Sequence, residues 1–302
     1  MPLPGHGSTR ERFERLAAVA EQDLAMARLV EGDADARAIL AESGRTDADD
    51  EVTYGVWAAR SPSAELRATP TTEGWLLRGT KAFCSGSGVT DRALVTAEAP
   101  DGYRLFDVAT ADVVVAPVPD SWPAVGMADS ASETLVFDSA ELPASSAVGP
   151  PGFYTDRPGF WFGACGVAAC WFGGARGLVD TVVRQLGPDP DQLVLAEVGR
   201  QSAGLWAMRQ LLTDVAAAID ADPGDCSARA RDRSLALRQV VHDGCQALLG
   251  STSAVGGARP LCHDPHQARR AADLHVYLAQ HHGGQDAVRL GAVAIGDRTA
   301  WY

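Results

Sequence analysis

Side chains suited to ligand binding cluster near residue 80, where a strand pattern ends in glycine and serine. Residues 74–84 alternate in the manner of a strand, with a turn expected at Gly79 and Thr80, and Ser-Gly-Ser-Gly follows at 85–88. Because glycine has no side chain, the backbone of this segment could lie close to a flat ligand. On these residues alone, a hairpin with a glycine-rich turn is the simpler interpretation.

The first of three segments that must position these residues covers residues 1–51 and is predicted to be short and helical. A helical hairpin is expected over residues 10–44, and an acidic loop at 45–51 ends it. The apolar residues that keep helical spacing are Phe13, Leu16, Val19, Ala20, Leu24, Ala27 and Leu29, with Ala36, Ile39 and Leu40 in a second helix.

The second segment, residues 52–151, predicts a central β-barrel or β-sandwich domain, because short apolar runs are divided by turn residues. Strands are expected at 54–59, 75–79, 92–97, 103–108, 113–118 and 133–137. The third segment, residues 152–302, predicts a C-terminal four-helix bundle. Its helices are expected at 160–186, 193–219, 226–249 and 269–281, with a further helix at 288–295. The predicted fold class is therefore α+β.

Charge and composition exclude several classes of function. The net charge is −13 and Lys81 is the only lysine, so a phosphate-binding face for nucleic acid is not expected. The sequence shows no secretory signal pattern and no run of eighteen uncharged apolar residues, which predicts a cytoplasmic protein outside the membrane. Six irregularly spaced cysteines are expected to be reduced.

Three local motifs, in this order of segments, resemble the acyl-CoA dehydrogenase family of flavoproteins. They are Val-Trp-Ala-Ala-Arg-Ser-Pro at 56–62, Gly-Trp-Leu-Leu-Arg-Gly-Thr-Lys-Ala-Phe-Cys-Ser at 74–85 and Trp-Pro-Ala-Val-Gly-Met-Ala-Asp-Ser at 122–130. The third leads into Val-Phe-Asp-Ser-Ala-Glu-Leu-Pro at 136–143. The resemblance is strongest between Tyr54 and about Arg176 and continues more weakly to the C-terminus.

The resemblance implies that FAD is the cofactor. Phe83 would pack its ring against the flavin, and Ser85 would direct its hydroxyl toward flavin N5. Trp57 and Ala58 would lie along the edge of the ring through backbone groups. Residues near the phosphate arm would be Ser61 or Ser63.

The family's reaction, α,β-dehydrogenation of an acyl thioester with hydride transfer to flavin N5, also needs a carboxylate base. Where the family has a glutamate before its last helix, this chain has Tyr-Leu-Ala-Gln-His-His-Gly-Gly at 277–284, and no glutamate follows Glu197. Imidazole has a suitable pKa, and flavin monooxygenases of this fold use a histidine near the flavin. The candidate bases are His282, His281, Asp286 and Asp180. A helix-terminal cap is the alternative role for the two histidines.

Two further departures concern the cofactor and the substrate pocket. The family's diphosphate-binding Arg-x-x-Phe-Gly segment is replaced by Leu-Gly-Pro-Asp-Pro at 186–190, so Arg200 or Gln201 is expected to take part of that role. The N-terminal helical part, one wall of the family's acyl pocket, is cut to about fifty residues.

Three hypotheses about function follow. The first is an FAD-dependent dehydrogenase of acyl thioesters with an electron-transfer partner, and the second is a flavin monooxygenase with His282 near the ring. The third is a degenerate member that serves as a binding or assembly subunit. A homo-oligomer is expected because the family's cofactor sits between subunits.

Two other patterns have structural explanations. Cys262-His263-Asp264-Pro265-His266 predicts a loop that enters a helix with Asp264 as N-cap, rather than a metal site. The glycine-rich Gly173–Gly177 stretch lies inside an apolar helix, so it predicts close helix packing rather than dinucleotide binding.

Overall fold

The computed structural model describes residues 1–45, 51–113 and 115–296, so most of the predicted acidic loop lies outside the described residues. Contacts divide the chain into two compact units. The described residues of the helical unit lie within 1–27, 125–127 and 161–296, and those of the β unit lie within 28–124 and 128–160. The division of the chain into residues 1–51, 52–151 and 152–302 stays a prediction.

The N-terminal helices are α1 (Thr9–Gln22) and α2 (Leu24–Glu42). The sequence analysis assigned only Ala36, Ile39 and Leu40 to the second helix, whereas α2 also contains Leu24, Ala27 and Leu29. The helix begins at Leu24 because the chain leaves the α1 conformation at Asp23, whose carboxylate accepts a hydrogen bond from the backbone nitrogen of Met26 at 2.8 Å.

The β unit contains, in its described residues, one sheet of eight strands. They are β1 (Tyr54–Trp57), β2 (Leu66–Pro70), β3 (Gly74–Cys84), β4 (Arg92–Ala99), β5 (Gly102–Ala109), β6 (Val115–Pro117), β7 (Glu133–Pro143) and β8 (Ala147–Val148). Strand order is β6-β7-β3-β2-β4-β5-β8, and β1 pairs in parallel with β4. The six predicted strands are present with shifted ends.

Two features of the sheet differ from the prediction. Strand β2 was missed, because it is short and ends in Pro70. The turn expected at Gly79 does not exist, since β3 runs through it. A Cβ on Gly79 would lie 2.2 Å from the carbonyl oxygen of Glu65, so this glycine permits close approach of β2, at φ +128°.

Both faces of the sheet are buried within the β unit. On one face, Trp57, Leu77 and Phe106 belong to the larger apolar cluster. On the other, Leu94 packs with Ile39 of α2. Adjacent residues reach opposite faces because side chains alternate along a strand.

The chain after the sheet is helical. Its helices are α3 (Phe153–Asp156), α4 (Gly159–Arg184), α5 (Gln192–Ala221), α6 (Ala230–Gly256), α7 (Arg259–His263), α8 (Pro265–Leu278) and α9 (Gly283–Gly296). The long helices of the predicted bundle are α4, α5, α6 and α8. The carboxylate of Asp264 accepts hydrogen bonds from the backbone nitrogens of His266 and Gln267, which confirms the predicted N-cap of α8.

Helix α4 is the core helix of the helical unit. Among the described residues it alone is long and apolar enough to cross a bilayer, but 83% of its apolar window is buried inside the protein. A Cβ on Gly173 would lie 2.1 Å from the carbonyl oxygen of Ala17, which confirms that small residues here serve close helix packing.

Candidate functional site

Phe83 owes its position to a β-bulge at the end of β3. Lys81 pairs with Leu135 and Cys84 pairs with Glu133, so β3 has one residue more than β7 between these pairs. Phe83 takes a left-handed conformation with φ +59°, which a bulky residue adopts only when its surroundings impose it. The residue is 51% exposed.

A second aromatic side chain lies beside Phe83. The ring of Trp122 meets it edge to face, with centroids 6.5 Å apart. The motif at 122–130 suggested a family match, but sequence reasoning gave Trp122 no role in the site. Together the two rings form a half-open apolar corner of the β unit.

Ser85 begins a chain of hydroxyl groups. Its Oγ lies 2.7 Å from Oγ of Ser132, which lies 2.9 Å from Oγ of Ser130, and all three residues are buried. Three hydroxyls carry three hydrogens, and the two bonds between them use two. The chain can therefore be ordered so that Ser85 keeps its hydrogen for an acceptor outside it. Ser130 belongs to the third sequence motif, but sequence reasoning singled out neither it nor Ser132.

Trp57 supports the same segment from β1. Its side chain is 1% exposed, and its indole nitrogen donates a hydrogen bond to the backbone carbonyl of Ser85 at 3.0 Å. The structure thus brings Trp57 and Ser85 together through the indole side chain, whereas the sequence prediction gave Trp57 a backbone role.

The other two predicted cofactor residues of the β unit lie after β1. Ala58 is half-buried, and Ser61 forms a tight turn in which its Oγ lies 3.0 Å from Oγ of Ser63. This turn is exposed to solvent. Hydroxyl groups in an exposed turn are compatible with a phosphate arm, and the role of Ser61 stays a prediction.

Lys81 anchors β3 two residues before Phe83. Its buried ammonium group donates to the carbonyl and hydroxyl oxygens of Thr96 at 2.9 and 2.8 Å and to the hydroxyl of Tyr103 at 3.2 Å. Burial lowers the pKa of Lys81, and the nearby Tyr103 only partly opposes this. Three oxygen acceptors match the three hydrogens of an ammonium group, so the side chain fixes the sheet beneath the site.

A small cavity of about 10 Å³ lies beside Ser85 within the β unit. Arg28 of α2, Val56 of β1 and Thr90 contribute to its walls. A volume of this size is about what one water molecule needs, so the cavity itself does not hold a flavin ring.

His281 lies in the helical unit, between α8 and α9, with its side chain 2% exposed. Its Nε2 lies 3.1 Å from Oε1 of Gln239, and its ring lies 4.5 Å from that of His242. The ring of Trp171 packs against it with centroids 6.1 Å apart. Burial lowers the pKa of His281, and the charges of His242 and Arg238 add to this effect.

The remaining candidate bases have different surroundings. His282 is exposed, and its carbonyl accepts hydrogen bonds from the backbone nitrogens of Gln285 and Asp286, so it starts α9. Helix α8 ends at Leu278, so neither histidine lies in its last turn, where a capping role had been considered. Oδ2 of Asp286 lies 3.8 Å from Nδ1 of His281. Burial and the neighbouring Glu21 raise the pKa of Asp180.

Arg200 and Gln201 on α5 differ in exposure. The guanidinium of Arg200 is 69% exposed and pairs with Glu197 at 2.7 Å. Gln201 is buried, and its amide donates to the carbonyl and hydroxyl of Ser251. Only Arg200 presents a side chain that a ligand could reach from solvent.

Sequence comparison finds no matching family profile and no matching curated protein. Comparison of structures does find matches. TdsC from Paenibacillus sp. A11-2, a dibenzothiophene monooxygenase solved with FMN and indole, is 18% identical with a TM-score of 0.84, over 95% of this chain and 84% of TdsC. The chain shares its fold.

Two further structures agree. KijD3, solved with FMN and a dTDP-linked amino-keto sugar, is 21% identical with a TM-score of 0.82, over 95% of this chain and 79% of KijD3. XiaF from Streptomyces sp., solved with FADH2, is 18% identical with a TM-score of 0.76, over 96% of this chain and 82% of XiaF. The predicted α+β, acyl-CoA dehydrogenase-like fold is thereby confirmed. At these identities the likeness is one of fold.

Proposed function

We propose that this chain is a flavin-dependent monooxygenase whose flavin ring lies against Phe83 and Ser85. The observation that carries the proposal is the fold, which matches flavin-bound structures over about 95% of the chain, one of them a named monooxygenase. The sequence favours oxygenation over dehydrogenation, because the helical unit has no glutamate after Glu197.

The residues of the β unit suit a flavin ring. Phe83 and Trp122 offer a half-exposed apolar corner for an aromatic ring. Ser85 can offer a hydroxyl hydrogen to a ring nitrogen, because the two hydrogen bonds among Ser85, Ser132 and Ser130 use only two of their three hydroxyl hydrogens. Trp57 holds the Ser85 carbonyl and so keeps this segment in one conformation. The proposed ring contacts are Phe83, Ser85 and the backbone groups of Trp57 and Ala58. Ser61 is proposed for the phosphate arm, and the exposed Arg200 for the diphosphate of a flavin held by a neighbouring subunit.

A reduced flavin would supply two electrons to dioxygen, so that one oxygen atom enters the substrate and the other leaves as water. Proton transfer in such a reaction needs a group that titrates near neutral pH. His281 is the better candidate, because its buried ring is neutral and can accept a proton, whereas the side chain of His282 is exposed to solvent. Asp286, close to His281, would stabilise the imidazolium.

The proposal differs from the first expectation, an FAD-dependent acyl thioester dehydrogenase with an electron-transfer partner. Either FMN or FAD is proposed as the flavin, since the structural neighbours hold both kinds. The proposed protein partner is a reductase that delivers reduced flavin, and the proposed substrate is a small molecule. A homo-oligomer in the cytoplasm remains part of the proposal.

The test is flavin binding followed by oxygen consumption. The protein is titrated with FMN and FAD, oxidised and then photoreduced under argon, and Kd is read from flavin fluorescence and absorbance. Tighter binding of the reduced form, and formation of a hydroxylated product from an aromatic probe such as indole after admitting oxygen, would support the proposal. Bleaching of bound flavin by an acyl-CoA panel without oxygen would instead support dehydrogenation. No binding of either flavin would leave only the assembly-subunit hypothesis.

A further inference from the structure

His281, in the segment between α8 and α9, is held by a series of hydrogen bonds that runs along about one turn of α6. We infer that Asp243 and Gln239 are positioning residues that fix His281 in the Nε2–H tautomer and leave Nδ1 as its proton-accepting atom. The inference deepens the proposed function by naming the atom of the candidate base and the residues that prepare it. All of the residues that carry it lie in the helical unit.

The series starts at the carboxylate of Asp243. Its Oδ2 lies 2.8 Å from Nε2 of Gln239, and its Oδ1 lies 3.0 Å from Nδ1 of His242. Burial would raise the pKa of Asp243, but the hydrogen bonds from Gln239 and His242 outweigh it and lower the pKa, so the group is ionised at neutral pH. An ionised carboxylate only accepts hydrogen bonds, so the amide NH2 of Gln239 must face Asp243.

The orientation of Gln239 decides the tautomer of His281. With its NH2 group toward Asp243, Gln239 presents its carbonyl Oε1 to Nε2 of His281, at 3.1 Å. A carbonyl oxygen cannot donate, so Nε2 must carry the hydrogen. In the neutral ring the lone pair then belongs to Nδ1.

Nδ1 of His281 is buried, and within the described residues it has no hydrogen-bond partner. The charged and titratable groups that act on the ring are His242, Asp243 and Arg238 of α6 and Asp286 of α9. Oδ2 of Asp286, at 3.8 Å, is too far for a hydrogen bond to Nδ1 but near enough to stabilise a proton there. Gain of a proton at Nδ1 makes an imidazolium that donates to Gln239 and faces Asp286.

The experiment is long-range 1H–15N NMR on the full chain labelled with 15N-histidine, in the presence and absence of flavin. His281→Asn identifies the His281 signals by their loss. We expect a protonated Nε2 and an unprotonated Nδ1 in the native chain. In Gln239→Met the acceptor is gone, and the ratio of the Nε2–H to the Nδ1–H form should fall about fivefold, the equivalent of one ordinary hydrogen bond. Gln239→Glu keeps an acceptor beside Nε2 but loses the donor to Asp243, so the Nε2–H form should persist and the added carboxylate should raise the pKa of His281.

Gln185→Met is the matched control, because Gln185 hydrogen-bonds Asp264 in another part of the unit and should leave the His281 signals unchanged. A native spectrum with Nδ1–H, or an unchanged ratio in Gln239→Met, would overturn the inference. The measurement needs no bound flavin, so failure of flavin binding would reject the proposed function while leaving the tautomer assignment to stand. If flavin binds and turnover occurs, Gln239→Met should also shift the pH profile of kcat. The accompanying change in KM should be smaller.

Discussion

The indole of Trp57 donates a hydrogen bond to the carbonyl oxygen of Ser85 at 3.0 Å, and so joins β1 to the turn after β3. The bond is buried, because Trp57 is almost fully enclosed and Ser85 is buried with it. An indole and a carbonyl that meet away from water fix the backbone from which the Ser85 hydroxyl projects.

Trp57→Phe should destabilise the fold by about 1–3 kcal/mol, because the buried carbonyl of Ser85 loses its donor while most of the apolar contact remains. The affinity for flavin should fall as well, because the segment that carries Ser85 is less firmly held. Urea unfolding measures the first effect and flavin titration the second. Trp75→Phe, a change on β3 where the ring packs on Phe106, should affect stability without a comparable change in flavin affinity.

Phe83→Asn should separate the conformation of this residue from its ring. Asparagine tolerates a positive φ better than phenylalanine does, so at φ +59° the fold should be unchanged or stabilised by about 0.5–1 kcal/mol. Flavin affinity should fall several-fold, because the aromatic contact is lost. Equal flavin affinity in the variant and the native protein would refute the proposed role of the ring.

Lys81 should make stability depend on pH. Burial lowers its pKa from 10.5, so the unfolded chain binds the proton more tightly and the free energy of unfolding should rise as pH increases from the folded pKa toward 10.5. Lys81→Met should remove this rise. Urea titrations of both proteins at several alkaline pH values measure the difference, and parallel curves would contradict the prediction.

Gly173→Ala should destabilise the helical unit by about 1–3 kcal/mol, since its Cβ would lie 2.1 Å from backbone oxygen of Ala17, which cannot move independently. Gly199→Ala is the matched control on α5, where no neighbouring atom lies within 4 Å. There alanine should stabilise the helix by up to about 1 kcal/mol. Thermal unfolding of the native protein and of both variants measures these two opposite changes in stability.

Local pattern determined much of the fold. The strand alternation around residues 92–97 and 103–108, the apolar helix that became α4, and the N-cap at Asp264 follow from side-chain periodicity and capping chemistry. The motif at 74–85 also selected the segment that holds Phe83 and Ser85. These features depend on residues close together in the chain.

Only the tertiary structure decided which residues far apart in the chain contact each other. The sequence could not show that Gly79 lies against Glu65 in a continuous strand, that a bulge turns Phe83 outward, or that Trp57 donates to Ser85. Nor could it pair His281 with Gln239, forty-two residues away in the chain. The physical reason is that a glycine, an aromatic ring or an imidazole is compatible with several environments, and the packing of distant segments selects one of them.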